Sequence, residues 1–267
     1  MVDTAANFGG SIPEYYDRIM GPAQFDAYAA DLVRRLPAKP AGDVLEIACG
    51  TGIVTRRLRE RLEPAVHLVA TDLSEAMLAY ARGKVPGDID WKTADAAKLP
   101  FGDESFGAAV CAFGVMFVPD KKAAFGEARR VLKKGGTFLF NVWDGLENNP
   151  HGRAASGVME SMFPGDAEMK FSGPYAFNDR AVIRSLLSGA RFEEVRMEPV
   201  RMAVGCPSAS EFAAGQVKGT PRGLLLQKRG VDVEEVIGKI AAALARVGGD
   251  APFRYTAQAL VVEAQAI

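Results

Sequence analysis

The sequence predicts an α/β fold built on a doubly wound, mostly parallel sheet, and three observations carry that prediction. Short apolar runs at 43–48, 66–71, 89–93, 106–113 and 137–142 recur through the first half of the chain and end in turn residues or acids. Between them lie stretches with apolar residues at helical spacing, among them Val54, Leu58 and Leu62 in 52–62, and Phe125, Ala128 and Leu132 after Pro119. The first run ends in a glycine-bearing turn, Ala48-Cys49-Gly50-Thr51-Gly52, with a helical pattern directly behind it. Strands alternating with helices imply a sheet covered on both faces, and the right-handed crossover rule then gives a Rossmann-like arrangement.

The elements follow in order. Ser11 with Glu14 resembles a capping box opening a short helix to Met20, which Gly21-Pro22 should break. Phe25, Ala29, Leu32 and Leu36 then repeat at helical spacing, and 37–42 is a linker. Ser74 is placed to cap a helix holding Met77, Leu78 and Ala81. Lys133-Lys134-Gly135-Gly136 reads as a basic last turn followed by a glycine stop. Beyond Trp143 the rhythm weakens: 145–177 mixes Pro150, Pro164 and Pro174 with Met159, Met162, Phe163, Met169, Phe171, Tyr175 and Phe177. Residues 178–189, 208–217 and 231–247 read as helices, and 192–204 and 253–264 as strands. The domain reading is a helical cap over 1–36, a core over 37–145, a lid over 146–190, and 191–267 completing the same domain.

Composition narrows the function classes. The chain has 267 residues, 48% apolar, with a formal net charge of −1, so a sizeable core is possible and a polyanionic partner is not indicated. Arg56, Arg57, Arg59 and Arg61 alternate with Leu and Glu, which describes the wet face of a helix and not a nucleic-acid stripe. Three dispersed cysteines without a CxxC pair, and two histidines, argue against a disulfide framework or a zinc site. No metal is expected. No signal peptide pattern is seen, and no apolar run reaches the roughly 20 residues that span a bilayer. A soluble, cytoplasmic protein is the expectation.

Three strand-end acids carry the chemistry. Glu46 lies just before the glycine turn, where it would repel a pyrophosphate and would suit a cation such as the ammonium of a methionine moiety. Gly50 and Gly52 permit the tight turn and let a ligand lie against bare backbone. Asp72 ends the second strand about twenty residues beyond that turn, where an acid accepts both hydroxyls of a ribose; Leu73 would lie under the adenine. Asp95 ends the third strand and can accept from an exocyclic purine amine, with the Ala96 N–H donating to a ring nitrogen.

The segments 44–52, Asp72-Leu73-Ser74-Glu75-Ala76-Met77, Ala94-Asp95-Ala96-Ala97-Lys98-Leu99-Pro100-Phe101 and 127–136 resemble class I S-adenosylmethionine (AdoMet)-dependent methyltransferases, in the branch of the ubiquinone and menaquinone C-methyltransferases. The resemblance is close over about 40–145 and loose elsewhere. It implies a seven-stranded sheet with an antiparallel last strand, strands six and seven being 192–204 and 253–264. It also implies AdoMet contacts from Glu46, Ala48, Gly50, Gly52, Asp72, Leu73, Met77, Asp95, Ala96 and Ala112, with S-adenosylhomocysteine (AdoHcy) as product. The first glycine of the family's turn is Ala48 here, which is tolerable at negative φ.

The implied reaction is in-line methyl transfer to a small apolar or aromatic acceptor, with residues 1–35 closing over the cofactor and the lid forming the acceptor pocket. A general base is optional; Tyr15, Tyr16, His151 and Tyr175 are the candidates. Cys49 reads as a small apolar filler. Two alternatives stay open on sequence alone: an NAD(P)-dependent oxidoreductase, and a non-catalytic AdoMet-binding protein. Oligomeric state and the acceptor's identity are not legible.

Overall fold

A computed structural model describes residues 10–267; residues 1–9 of the expected cap lie outside the described residues. The sheet has seven strands in the order β3-β2-β1-β4-β5-β7-β6. These are β1 (Asp43–Ile47), β2 (Leu68–Asp72), β3 (Asp90–Thr93), β4 (Phe106–Ala112), β5 (Leu132–Trp143), β6 (Phe192–Cys206) and β7 (Phe253–Ala266). Strands β1 to β5 pair in parallel, whereas β7 runs antiparallel to both β5 and β6. The predicted class and the antiparallel final strand are both borne out.

Helices α3 (Ile53–Arg61), α4 (Glu75–Lys84) and α5 (Lys121–Val131) fill the crossovers between the parallel strands. Val44, Leu45, Ala108, Ala109, Val110 and Cys111 are fully enclosed, because β1 and β4 are central and covered on both faces. The chain order reverses between them, since β2 and β3 lie to one side of β1 and β5 to the other. Ligands of open α/β sheets bind outside the carboxyl ends of the strands at such a switch point. After β5, α6 (Pro150–Met162) and α10 (Val233–Gly248) pack on each other and on β7, α7 (Arg180–Gly189) packs on α5 and β6, and α8 (Ala209–Lys218) and α9 (Pro221–Lys228) pack together, α8 also on the N-terminal helices.

Local expectations fail in three places, each for a physical reason. Gly21-Pro22 does not break the N-terminal helix: α1 (Ile12–Tyr15) continues as a π-helical stretch, Tyr16–Phe25, into α2 (Asp26–Arg34). Asp26 donates to the Gly21 carbonyl five residues back. The wider π turn accommodates a proline ring that would clash with the i−4 carbonyl of an α-helix. Ser11 makes no side-chain cap bond, because its own backbone is already helical (φ −85°, ψ −1°). Lys133-Lys134-Gly135-Gly136 does not end α5 but lies in β5, which begins at Leu132 paired with Phe106. The register then jumps to Ala108 against Thr137, so the glycine pair, with Gly135 at φ +76°, forms the bulge.

The least legible segment, after Trp143, is held by a buried polar knot. Asn149 Nδ2 donates to the carbonyls of Asp144, Gly145 and Gln258, and Gln258 returns its backbone N–H to Asn149 Oδ1 at 3.0 Å. Gln258 Nε2 donates to Asp144 at 2.6 Å. This knot fixes the start of α6 to β7. Among the described residues no helix is long and apolar enough to cross a membrane.

Candidate active site

The glycine turn after β1 builds the site. Ile47 stands level with Thr71, and Thr71 donates its hydroxyl to the Glu46 carbonyl at 2.9 Å while Cys49 N–H donates to the Thr71 carbonyl at 2.9 Å. The turn is thereby laced to β2. Gly50 has φ +55°, and a Cβ there would meet nothing within 4 Å, so this backbone borders open space. Gly52, at φ +84°, serves packing: a Cβ would lie 2.6 Å from Val85 Cγ2 and 3.2 Å from Ala81 Cβ.

Ala48 corrects the sequence expectation, because its φ is +55° and not negative. An L-residue pays about 1–2 kcal/mol in that region. Gly114 compensates sterically: a Cβ there would stand 2.6 Å from the Ala48 Cβ and 2.7 Å from Cys111 Sγ. Phe113, at φ +51°, is a second non-glycine residue held left-handed at the neighbouring strand tip. Its N–H donates to Asn141 Oδ1 at 2.9 Å and to the Asn141 carbonyl at 3.1 Å. Such strain gathers where surrounding contacts over-determine a functional geometry. Gly114→Ala is expected to lower stability by about 2–3 kcal/mol, read as a lower urea midpoint with unchanged slope; an unchanged midpoint would show that the tip can relax.

Glu46 is 1% exposed, and among the described residues its Oε2 has no hydrogen-bond partner. Burial, with the Asp72 charge adding to it, pushes its carboxyl up to about 8. A buried carboxylate without a cation is costly, and Glu46 escapes that cost by keeping its proton. Asp72 is half-buried and pinned: Oδ2 accepts the Gly50 N–H at 2.8 Å and Oδ1 the Ser74 N–H at 2.9 Å. Burial lifts its pKa, and those two N–H groups hold it back. Capping of α4 falls to Ser74, whose hydroxyl accepts from Met77 N–H, leaving Asp72 free of that role.

The remaining predicted residues distribute unevenly. Leu73 is 37% exposed beside Asp72. Asp95 does not end β3, which stops at Thr93; it is exposed in the turn beyond, bridged to Lys98, and accepts the Ala97 N–H at 2.8 Å, with Ala96 half-buried next to it. Ala112 ends β4 half-buried. Met77 is 4% exposed, so its side chain belongs to the packing of α4. Cys49 is buried with its thiol pKa raised by that burial, consistent with a filler.

The N-terminal helices and the tips of β4 and β5 meet in an aromatic wall that the sequence did not assemble. Phe113 and Trp143, at the tips of β4 and β5, stack at 4.2 Å. Tyr28 meets both edge-on at 5.5 and 5.4 Å, and Phe25 packs on the same pair. Tyr16 stacks on Phe25 at 5.0 Å, and its phenol pKa is raised by burial and then by the Asp72 charge. Asp17 accepts the Tyr80 hydroxyl at 3.1 Å, tying the cap to α4. Tyr15 stands apart, its ring flanked by Arg18 and Lys218. Tyr175 reaches Trp143 at 6.1 Å, and its hydroxyl lies 3.2 Å from His151 Nε2. His151 is fully buried, and burial lowers its pKa to about 3. Neither the neutral His151 nor the raised tyrosines Tyr16 and Tyr175 is a competent base near pH 7. A lone proline- and methionine-rich stretch gives no such signal; only the tip aromatics Phe113 and Trp143 could have been read from position.

The methyltransferase-domain family matches residues 44–136, the segment carrying all three acids. A ubiquinone/menaquinone biosynthesis C-methyltransferase UbiE of Stutzerimonas stutzeri is 30% identical over 200 residues, covering 73% of this chain and 74% of the relative. The Pseudomonas aeruginosa counterpart is 33% identical over 161 residues, and the chain spans 59% of its length. Among solved structures, the YcgJ protein of Bacillus subtilis superposes with TM-score 0.61 at 15% identity, over 90% of this chain and 97% of that one. Phosphoethanolamine N-methyltransferase 2 of Haemonchus contortus, solved with S-adenosyl-L-methionine, superposes with TM-score 0.60 at 16% identity, over 95% of this chain and 56% of that one. The strand order, the glycine turn with its acids and the match across three quarters of a curated relative converge: the chain belongs to the AdoMet-dependent methyltransferase family that includes the ubiquinone/menaquinone C-methyltransferases.

Proposed function

We propose that this enzyme methylates a small, apolar or aromatic molecule held between the strand tips and the lid. The observation that carries the reading is the buried Glu46 carboxyl, whose Oε2 has no partner among the described residues, beside a turn whose Gly50 backbone faces open space. Glu46 would take the ammonium of AdoMet, Asp72 the ribose diol, and Asp95 with Ala96 the adenine edge over Leu73. Gly50 would let the ligand lie against backbone, with Ala48 and Ala112 beside it. When bound, AdoMet supplies a methyl group on a sulfonium, a leaving group that needs no protonation.

The protein's own residues then have two tasks. The wall of Tyr16, Phe25, Tyr28, Phe113 and Trp143 excludes water and offers a flat apolar surface to the acceptor. The cap over 10–36 and the lid over 146–190 hold the acceptor in line, where orientation is worth on the order of 7–11 kcal/mol. No side chain in this wall needs to remove a proton, which suits an acceptor already nucleophilic at neutral pH. The formal charge of −1 and the interspersed Arg56–Arg61 face favour a small molecule over nucleic acid. Three free, buried cysteines fit a reducing cytoplasm.

Calorimetric titration is expected to show micromolar-range or tighter binding of AdoHcy and none of NAD, because Asp72 occupies the Gly50 N–H that a pyrophosphate would need. Incubation with methyl-labelled AdoMet and a metabolite extract should place label in the organic-soluble, small-molecule fraction. Binding without any labelled product would leave the non-catalytic reading standing and end this one.

A further inference from the structure

We infer that Thr55 is a positioning residue for the cofactor: its hydroxyl, enclosed with the Glu46 carboxyl between α3 and β1, turns to donate to Glu46 Oε2 when that carboxyl meets the ammonium of AdoMet. The inference rests on the placement of AdoMet proposed above and adds a residue to it. Thr55 is wholly buried in the first turn of α3, and Thr51, just before that helix, is 2% exposed. Among the described residues neither hydroxyl has a hydrogen-bond partner, and neither has Glu46 Oε2. Buried polar orphans are few in folded chains, and three between Glu46 and Thr55 ask for an explanation.

The fold brings two of them to one place. Along β1, Val44 and Glu46 share a sheet face, and Val44 belongs to one apolar cluster with Ile53, Val54 and Leu58 of α3. Glu46 stands level with Ala70 of β2 on one side and Val110 of β4 on the other, so its flanks are apolar. Its roof is α3, and Thr55 is the one polar residue among those that α3 buries. In a dinucleotide-binding G-x-G-x-x-G turn the third glycine lets helix and strand pack closely. Counted from Gly50 and Gly52, that position is Thr55, so a hydroxyl is lodged at the contact of helix and strand.

The titratable groups whose charges couple to Glu46 are Asp72, Cys49 and Cys111, and none of them is a cation. The Thr55 hydroxyl is the neighbour that favours the charged carboxyl. A hydroxyl suits this post because it serves both charge states: it accepts from the protonated acid and, rotated, donates to the carboxylate, whereas a backbone N–H can only donate. A helical threonine often commits its hydroxyl to a carbonyl one turn back; among the described residues Thr55 does not. With Oε2 held by Thr55, the other carboxyl oxygen is left for the ammonium.

Calorimetric titration of AdoHcy into the full-length protein at pH 7, beside urea unfolding of the ligand-free protein, tests this. Thr55→Val, which exchanges the hydroxyl for a methyl, is expected to weaken AdoHcy binding about tenfold, the worth of a hydrogen bond to a charged group. Thr55→Ser, which keeps the hydroxyl and drops the methyl, should bind within about twofold of wild type. Urea midpoints should fall in the opposite order: the valine variant at or above wild type, because an orphaned hydroxyl is gone, and the serine variant below it, because a buried methyl is lost. A packing role predicts instead that affinity follows stability, valine ahead of serine, and that order would overturn the inference. In a Glu46→Gln background Thr55→Val should weaken binding less than about threefold, since the charge it serves is absent. A full tenfold loss there, or equal affinity of wild type and Thr55→Val, would also overturn it. Should Glu46→Gln itself bind AdoHcy as tightly as wild type, the placement of the ammonium fails and this inference with it.

Discussion

Glu46→Gln is expected to weaken AdoMet binding about 100-fold while making the ligand-free protein more stable at pH 8, two effects of opposite sign from one carboxyl. The first follows from pairing: removing one partner of a buried charge pair costs about 2–5 kcal/mol, and 2.7 of these is a factor near 100. The second follows from burial. Glu46 holds its proton in the folded chain until about pH 8, against 4.5 when free. The folded state therefore binds more protons than the unfolded state across that window, and stability falls as pH rises through it. Glutamine does not titrate, so the variant escapes a penalty of about 3–5 kcal/mol at and above pH 8. At pH 4, where Glu46 is protonated in both states, wild type and variant should have nearly equal urea midpoints.

The same carboxyl couples cofactor binding to a proton. At pH 7 the ligand-free Glu46 is mostly protonated, and an ammonium placed against it would draw it into the charged form. AdoMet binding at pH 7 should thus release about one proton, seen as a calorimetric enthalpy that differs between phosphate and Tris buffers. Glu46→Gln should erase the difference. A wild-type enthalpy independent of buffer would mean that Glu46 does not meet the ammonium.

What could be read from the sequence was what local chemistry encodes. The run from Val44 to Gly52 specifies a buried strand, a turn with open backbone and an acid at its mouth within one short window, and the fold keeps that order. Asp72 was expected at a strand end and does close β2, whereas Asp95 lies beyond β3 in a turn that its own side chain caps. Ala48 was misjudged because its conformation is decided by Gly114, which lies on another strand's tip and gives the methyl its room. Pro22 was misjudged because a wider helical turn absorbs it, a tertiary outcome that propensity does not contain. The lid was unreadable for a similar reason. Its anchor joins Asp144 and Asn149 to Gln258, more than a hundred residues on, and its wall draws Phe25, Tyr28, Phe113, Trp143 and Tyr175 from separate segments. None of those pairings has a period or a spacing.

Asp72→Ala should be the more damaging substitution for cofactor binding, because this one carboxylate works in two directions. Each oxygen already accepts one backbone N–H, from Gly50 and from Ser74, and a carboxylate has about four acceptor positions. The two left over are one per oxygen, the arrangement that a pair of adjacent ribose hydroxyls requires. Alanine removes two charge-assisted bonds to the ligand, each worth about 1.5–3 kcal/mol, and also unties the glycine turn. A loss of roughly 1,000-fold in AdoHcy affinity is expected, from about 4 kcal/mol. Asp72→Asn should fare little better, since its amide NH2 must face either the Gly50 or the Ser74 donor, and that repulsion loosens the turn. A ligand series separates the two roles. Wild type should prefer AdoHcy over 2′-deoxy-AdoHcy by at least tenfold, roughly one such bond, whereas Asp72→Ala should bind both equally weakly. Were the alanine variant to keep the preference for the full diol, the ribose would be read elsewhere, and Asp72 would be only the clamp that joins β2 to the turn.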